Sequence, residues 1–305
     1  MVKFLTAVFA ILLVLPALRA ESVVPGDGAS PQNRYIFYKA TRGEATFYIL
    51  GAMHIGKADA PPYTPAIYEA LSKSQKLIFE SEVRRDKVRM ELAQAMYLPE
   101  GVTLEKYLNK QDAELLKKFC ERIGVSVAAL NRFQPWLIEI MAAYRIGAMK
   151  GYVIEHGTEH TLLRYVEQKL LKEERPGIMT LEGQDEVFRR MSKVALADQI
   201  ARLRIILPYY IAADFKAVED LVEMWRRGDT EAMWKLYAQQ KDPSPQTARF
   251  FELLLFERNR IMADRIAIIS RYPGTYFVLP GAMHLVGDRS ILKYLEKAGF
   301  TVERL

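Results

Sequence analysis

Two histidines stand in matching words near the two ends of the chain. "TFYILGAMHIG" (Thr46–Gly56) and "YFVLPGAMHLVG" (Tyr276–Gly287) each run from a β-branched and aromatic stretch into Gly-Ala-Met-His, and these words place His54 and His284. Imidazole changes charge near neutral pH and is the commonest metal ligand, so a pair of them points to proton transfer or to metal binding. The alternative is a core histidine bonded to a backbone carbonyl. The chain has only four histidines, and two in the same setting favour function. Two carboxylates close similar apolar runs: Glu80 ends "KLIFE" and Glu182 ends "IMTLE". A carboxylate beside an apolar run must be paired, metal-bound or protonated. Glu82 lies two residues beyond Glu80 and would face the same side of a strand, either supporting Glu80 or solvated past the strand end. Glu182 precedes a glycine turn, where an acid is also common.

These four groups require elements that deliver them to one place. "YIFYKA", the turn "TRGEA" and "TFYILG" read as a β-hairpin. "KLIFESE" reads as a buried strand, "IMTLE" as a short apolar run suited to another strand, "TYFVLPG" as a further one, and "FTVERL" as a last one. Helices are expected at Tyr63–Ser74, from Pro135 to about Gly147, at Glu159–Leu171, through Asp185–Gln240 with breaks at Pro208 and "RRGDT", at Gln246–Ser270 and at Arg289–Ala298. Asp229 or Thr230 is placed to cap the helix after "RRGDT". The expected fold is α/β, with a central mixed sheet formed by the N- and C-terminal segments and a large helical middle region. In open α/β sheets ligands bind beyond the carboxyl ends of the strands. His54, Glu80, Glu182 and His284 all fall at such ends. Gly51 and Gly281 are expected to turn the backbone sharply off their strands through dihedrals other residues resist.

Two further motifs need weighing. "HGTEH" (His156–His160) matches the H-x-x-E-H pattern of a class of zinc peptidases, which needs both histidines on one continuous helix. Gly157 follows the first histidine and Thr158 reads as an N-cap, so His156 is expected outside the helix and the two rings need not converge. Glu159 then sits in a first turn, where it favours the helix dipole. "FERNR" (Phe256–Arg260) lies within an expected helix, and periodicity alone puts Arg258 and Asn259 on its surface. The functional alternative is an Arg258 that binds an anion or orients a site carboxylate by a bidentate bond.

The rest of the composition bounds the answer. The chain has 305 residues, 50% of them hydrophobic and 26% charged, as in ordinary globular proteins. Lys3, an apolar run from Phe4 to Leu15, Pro16 and "ALRA" make residues 1–20 a signal peptide pattern, with cleavage expected after Ala20 and a periplasmic or secreted destination. The alternative is an uncleaved N-terminal anchor, but the run is too short to span a bilayer comfortably, so no stable membrane span is expected after cleavage. Residues 21–33, rich in Gly, Pro and Ser, read as a disordered lead-in, and residues 34–305 read as one domain whose stretch 84–272 is mostly a helical insertion. The lone cysteine, Cys120, excludes an intramolecular disulfide and a Cys-rich zinc site. The net charge of +6 is spread along the chain with no basic run, which argues against nucleic acid as a partner.

With these residues in view, the chain resembles the TraB/GumN (TraB/PrgY/GumN) family from about Tyr35 to Leu305. "LGAMHIG" resembles the family's Gly-x-x-His after a first hairpin, and "LIFESE" its strand ending in Glu. "GTE" (Gly157–Glu159) is similar to its Gly-x-acid motif, "TLEGQ" to its Leu-Glu-Thr segment with Gly183 in place of Thr, and "ERNR" to its Arg-Asn helix. "PGAMHLVGDRSILKYLEKAGF" resembles its closing block, with Ser290 where Gly is common. The resemblance implies kinship with the Tiki proteins of animals, metal-dependent proteases with two Gly-x-x-His motifs and a Glu, and more distantly with erythromycin esterases and a haem-binding lipoprotein. By that resemblance His54, Glu80 and His284 carry the site, with Glu159, Arg258 and Asn259 supporting. It implies a hydrolase, a peptidase first, with Zn, Mn or Co held by His54, Glu80 and His284 and a proton taken by Glu80, Glu82 or Glu182. A metal-independent His/Glu hydrolase and a periplasmic ligand- or haem-binding protein are the alternatives. The substrate, a peptide or a small molecule, is not specified by these motifs.

Overall fold

The computed structural model of the chain describes residues 34–82, 94–212, 216–238 and 244–305. The expected leader and lead-in lie outside the described residues, as does the start of the helical stretch expected from Arg84. Strands β1 (Phe37–Arg42) and β2 (Ala45–Leu50) form the expected hairpin. Helix α1 (Pro65–Ser72) leads into β3 (Lys76–Phe79), after which α2 (Lys110–Ile123), α3 (Val127–Leu130), α4 (Pro135–Ala148) and α5 (Thr158–Lys169) precede β4 (Gly177–Thr180). Helices α6 (Gln184–Met191), α7 (Leu196–Ile211), α8 (Lys216–Arg227), α9 (Thr230–Ala238), α10 (Pro245–Phe251) and α11 (Glu257–Ile269) follow. The chain closes with β5 (Gly274–Leu279), α12 (Ile291–Lys297) and β6 (Thr301–Arg304).

The fold is α/β. Its six strands form one mixed sheet in the order β4-β3-β5-β2-β1-β6. The strands β4, β3, β5 and β2 are mutually parallel, while β1 pairs antiparallel with β2 and β6. The late strand β5 is inserted between β2 and β3, so both ends of the chain meet at the sheet centre. The apolar runs of β3 and β5 are buried almost throughout, as is usual for parallel strands inside an α/β sheet. Strand β2 alternates buried and half-buried positions before it enters this zone.

Local signals account for most of the helix limits. Pro135 starts α4, where its missing N–H costs nothing, and α4 is buried on nearly every side. Asp229 Oδ1 accepts from Ala232 N at 2.8 Å and so caps α9. Pro208, expected to interrupt a helix, lies instead in the last turn of α7. There its ring removes only its own hydrogen bond, and Ala212 N still closes on Pro208 O at 3.0 Å. Among the described residues no helix is long and apolar enough to cross a membrane.

Cys120 is buried in α2, and burial pushes its thiol up to about 11. Because the thiolate is the reactive form, the folded protein is expected not to consume a thiol reagent at about pH 8. Reaction should begin only near the raised pKa or on denaturation. Rapid modification of native protein at that pH would contradict this placement.

Candidate functional site

Four parallel strands end on one edge of the sheet, and each delivers a residue there. His54 follows β2, Glu80 follows β3, Glu182 follows β4 and His284 follows β5. The backbone continues the pairing past the strands: Ala52 N donates to Pro280 O (2.7 Å), Ala282 N to Ala52 O (2.9 Å) and Glu182 N to Glu80 O (2.9 Å). All four side chains are buried.

Arg258 lies at the centre and is fully buried, contrary to the surface position that periodicity suggested. Its Nη2 donates to Glu80 Oε1 at 2.5 Å, its Nε to Glu182 Oε2 at 2.7 Å, and its Nη1 to His284 Nε2 at 3.3 Å. The reason periodicity failed is local. Residues Glu252–Phe256 form a π-helical stretch that joins α10 to α11, shifting the register of the helix face just ahead of Arg258. Nη1 of Arg258 also donates to Leu254 O, a carbonyl of that stretch, at 3.3 Å. The expected single helix of Gln246–Ser270 is therefore two α segments with this stretch between them.

The carboxylates differ in their duties. Glu80 Oε2 accepts from Gly281 N at 2.6 Å. Burial is the largest single influence and works against the Glu80 charge, but the Arg258 guanidinium together with the neighbouring imidazoles outweighs it and holds the carboxyl well below the usual carboxylate range. The His284 Nε2–Glu80 Oε1 separation is 3.6 Å, too long for a hydrogen bond, so Arg258 rather than His284 neutralises Glu80. Glu182 is gripped from both sides, by Arg258 and by Arg190 Nη1 at 3.1 Å. With both oxygens engaged it fixes Arg258 in place. Glu82 is half-buried two residues past Glu80, at the end of the described segment.

Each histidine is held by its Nδ1. His54 Nδ1 bonds to Glu159 Oε1, and His284 Nδ1 to Asn259 Oδ1 at 2.5 Å. The Asn259 amide is itself oriented, because its Nδ2 donates to Arg289 O at 2.7 Å. Its Oδ1 therefore faces His284, which must carry the proton on Nδ1 and a lone pair on Nε2. The two rings titrate in opposite directions. Burial lowers the pKa of His284, keeping it neutral. Burial also opposes the charge on His54, but the charge and hydrogen bond of Glu159 prevail and raise it. Among the described residues His54 Nε2 and Glu159 Oε2 are buried without a hydrogen-bond partner.

Glu159 reaches His54 because two loops are stitched together. Thr158 N donates to Met53 O (2.9 Å), Met53 N to Thr158 Oγ1 (2.9 Å), and Gly56 and Val153 exchange backbone bonds of 3.0 and 2.8 Å. Thr158 is thus the first residue of α5, with Gly157 as the N-cap, and its hydroxyl serves the His54 loop. A Cβ on Gly157 would stand 2.4 Å from the His54 carbonyl oxygen, so the "GTE" glycine is required for close approach. Gly157→Ala is expected to cost about 1–3 kcal/mol in denaturant-unfolding experiments, the range for overpacking. Wild-type stability in that variant would show that the loops do not meet as described. Gly51 also serves close approach, its added Cβ lying 3.0 Å from Ala282 Cα, and Gly281 has an ordinary φ of −54°. Neither supplies the unusual dihedrals expected of it. Gly281 contributes its N–H to Glu80 instead.

The "HGTEH" histidines stay apart from this centre. His156 ends a short 3-10 turn outside α5 and His160 lies within α5, both half-buried. Sequence reasoning took Thr158 for an N-cap and missed Arg190 and Tyr144. Tyr144, on α4, is buried with no partner for its hydroxyl among the described residues. Burial, then the charges of Glu159 and Glu80, push its phenol well above the usual value. No sequence signal marked it, since one aromatic in an apolar helix reads as core. Ser290, in place of a glycine in the closing block, caps α12 by accepting from Lys293 N at 3.4 Å.

The donor chemistry fits a divalent ion. A metal-binding histidine normally gives its second ring N–H to an oxygen acceptor, and both rings here do so and present Nε2. Among the described residues, however, no three His, Cys, Asp or Glu side chains form a set that could hold an ion. Arg258 stands against both Glu80 and His284 Nε2.

A sequence model of the TraB/PrgY/gumN family matches residues 36–304. The "Uncharacterized protein YbaP" of Escherichia coli (strain K12) is 21% identical over 257 residues, covering 83% of this chain and 89% of that protein. Its namesake from Shigella flexneri matches to the same extent. No solved structure matches the chain significantly.

Proposed function

The chain belongs to the TraB/PrgY/gumN family, and from that premise we propose that it is an exported hydrolase, of peptide bonds first, that works with a divalent metal. The observation that carries this reading is the matched orientation of the two histidines. Glu159 and Asn259 each hold an Nδ1, which leaves the Nε2 of both rings at the edge where four strands end, that of His54 unpartnered and that of His284 against Arg258 Nη1. His54, His284 and Glu80 are the residues that would hold the ion. When bound, a divalent ion supplies Lewis acidity and makes a water acidic enough to attack at neutral pH. Arg258 keeps Glu80 ionised and adds a buried positive charge able to stabilise an oxyanion. Glu80 or Glu82 would take the proton from the attacking water.

A metal-free reading is favoured by one observation, the contact of Arg258 with both Glu80 and His284. In that case His54, oriented by Glu159, is the general base, and the neutral His284 and Arg258 polarise the bond to be cleaved.

The test is metal content by plasma mass spectrometry on signal-cleaved protein prepared without a His tag or chelators. Folded His54→Ala and His284→Ala variants run beside it. The expected result is near-stoichiometric metal in the wild type and its loss in both variants, together with loss of peptide hydrolysis. A wild type that hydrolyses peptides while metal-free, even after incubation with Mn, Co and Zn, would establish the metal-free mechanism. Folded protein with neither metal nor hydrolysis would overturn both.

A further inference from the structure

A cavity of about 360 Å³ lies on the far side of the loop that carries His54, bounded by Gly56–Tyr63, by the first turns of α5 and by the end of α8. None of His54, Glu80, Glu159, Glu182, Arg258 or His284 lines it, so the groups of the catalytic cluster do not explain its lining. Three cationic side chains do, Lys57, Arg164 and Arg226, against a single carboxylate, Asp59.

These cations are poorly neutralised. Arg226 Nε is buried without a hydrogen-bond partner among the described residues, and Nη1 reaches Glu223 only at 3.9 Å. Lys57 Nζ stands 3.7 Å from Glu219 and 4.7 Å from the centre of the Tyr152 ring. Arg164, an exposed residue at the cavity mouth, has no ion pair among the described residues. A buried guanidinium N–H left without an acceptor carries a desolvation cost that an anion entering the cavity would remove.

The wall beside Arg226 is aromatic. Tyr35 packs on Tyr63 at 4.9 Å and on Trp225 at 5.0 Å between ring centres. Tyr35 also has a φ of 48°, the one left-handed non-glycine residue among those described, held there by its N–H bond to Arg226 O at 2.9 Å. Such backbone strain collects at ligand sites, and here it places a flat ring on a cavity wall. A cation beside flat apolar rings suits a ligand with one anionic end and a planar body.

We propose that this cavity binds a small aromatic anion, with its carboxylate or phosphate held by Arg226, Arg164 and Lys57 and its ring against Trp225 and Tyr63. Met53 and Thr158 line the cavity beside His54 and Glu159, so a bound anion would rest on the two segments that hold the His54–Glu159 pair. The proposal concerns binding alone and stands whether or not the chain is a hydrolase.

The test is calorimetric titration of the signal-cleaved protein with phenyl phosphate, with phenylacetate, and with neutral 2-phenylethanol. Saturable binding of at least one anion is expected, with affinity falling about tenfold or more in Arg226→Gln and in Arg164→Gln, as for loss of one charge-assisted contact. Lys57→Gln, on the loop, serves if either arginine variant melts early. Preference for phenyl phosphate would identify a phosphate ligand, and preference for phenylacetate a carboxylate. The proposal is overturned if neither anion binds saturably, if 2-phenylethanol binds as well as the anions, or if folded variants bind like the wild type.

Discussion

Arg258→Met is expected to destabilise the protein by about 3–5 kcal/mol, the usual cost of leaving a buried ion pair without one partner. The substitution keeps most of the side-chain volume and removes the charge. It strands Glu80 and Glu182, both buried, and leaves Glu182 to Arg190 alone. It also removes the donor to His284 Nε2. Urea or thermal unfolding measures the loss. A change below about 1 kcal/mol, the scale of an exposed pair, would mean that the guanidinium is solvated and not buried as described. Arg258→Lys should recover little, because one ammonium cannot serve two carboxylates and an imidazole from the positions of a planar fork.

Arg202→Met provides the contrast, with a comparable expected loss of about 3–5 kcal/mol and no consequence at the strand ends. Arg202 and Glu139 form a second buried pair, with Nη2 2.8 Å from Oε1, between α7 and α4. Arg202 also faces the rings of Phe250 and Phe251 at 5.0 and 5.4 Å. Burial raises the pKa of Glu139 more than Arg202 lowers it. A raised carboxyl favours folding below its unfolded pKa and loses that contribution as pH rises through the folded value. The pair is therefore a weak source of stability at neutral pH. Replacing both members, Glu139→Leu with Arg202→Met, should recover most of the loss. Metal content and hydrolysis should stay at wild-type level in the double variant. If they fall with it, the two ion pairs are coupled and the helical layer takes part in the site.

The strand-end residues were legible in the chain itself. A run of β-branched and aromatic residues that stops at a Gly or an acid has one plausible place in an α/β protein, so His54, Glu80, Glu182 and His284 could be set on one rim by local pattern. The hairpin, the start of α4 at Pro135 and the Asp229 cap followed from equally local chemistry. The partners of those residues did not. By periodicity Arg258 looked like a surface residue, and only the family resemblance set it at the site; a π-helical stretch turns it inward. Glu159 looked like a dipole-favouring first-turn acid until Gly157 let its loop approach the His54 carbonyl. Gly51 and Gly281 looked like turn residues, yet one admits a neighbouring backbone and the other lends an N–H to Glu80. Tyr144 and the Arg226 cavity carried no signal at all. Local sequence determines where a strand ends and which group it presents there. Which charge meets that group depends on helix register and loop contact, and those are decided only when distant segments pack.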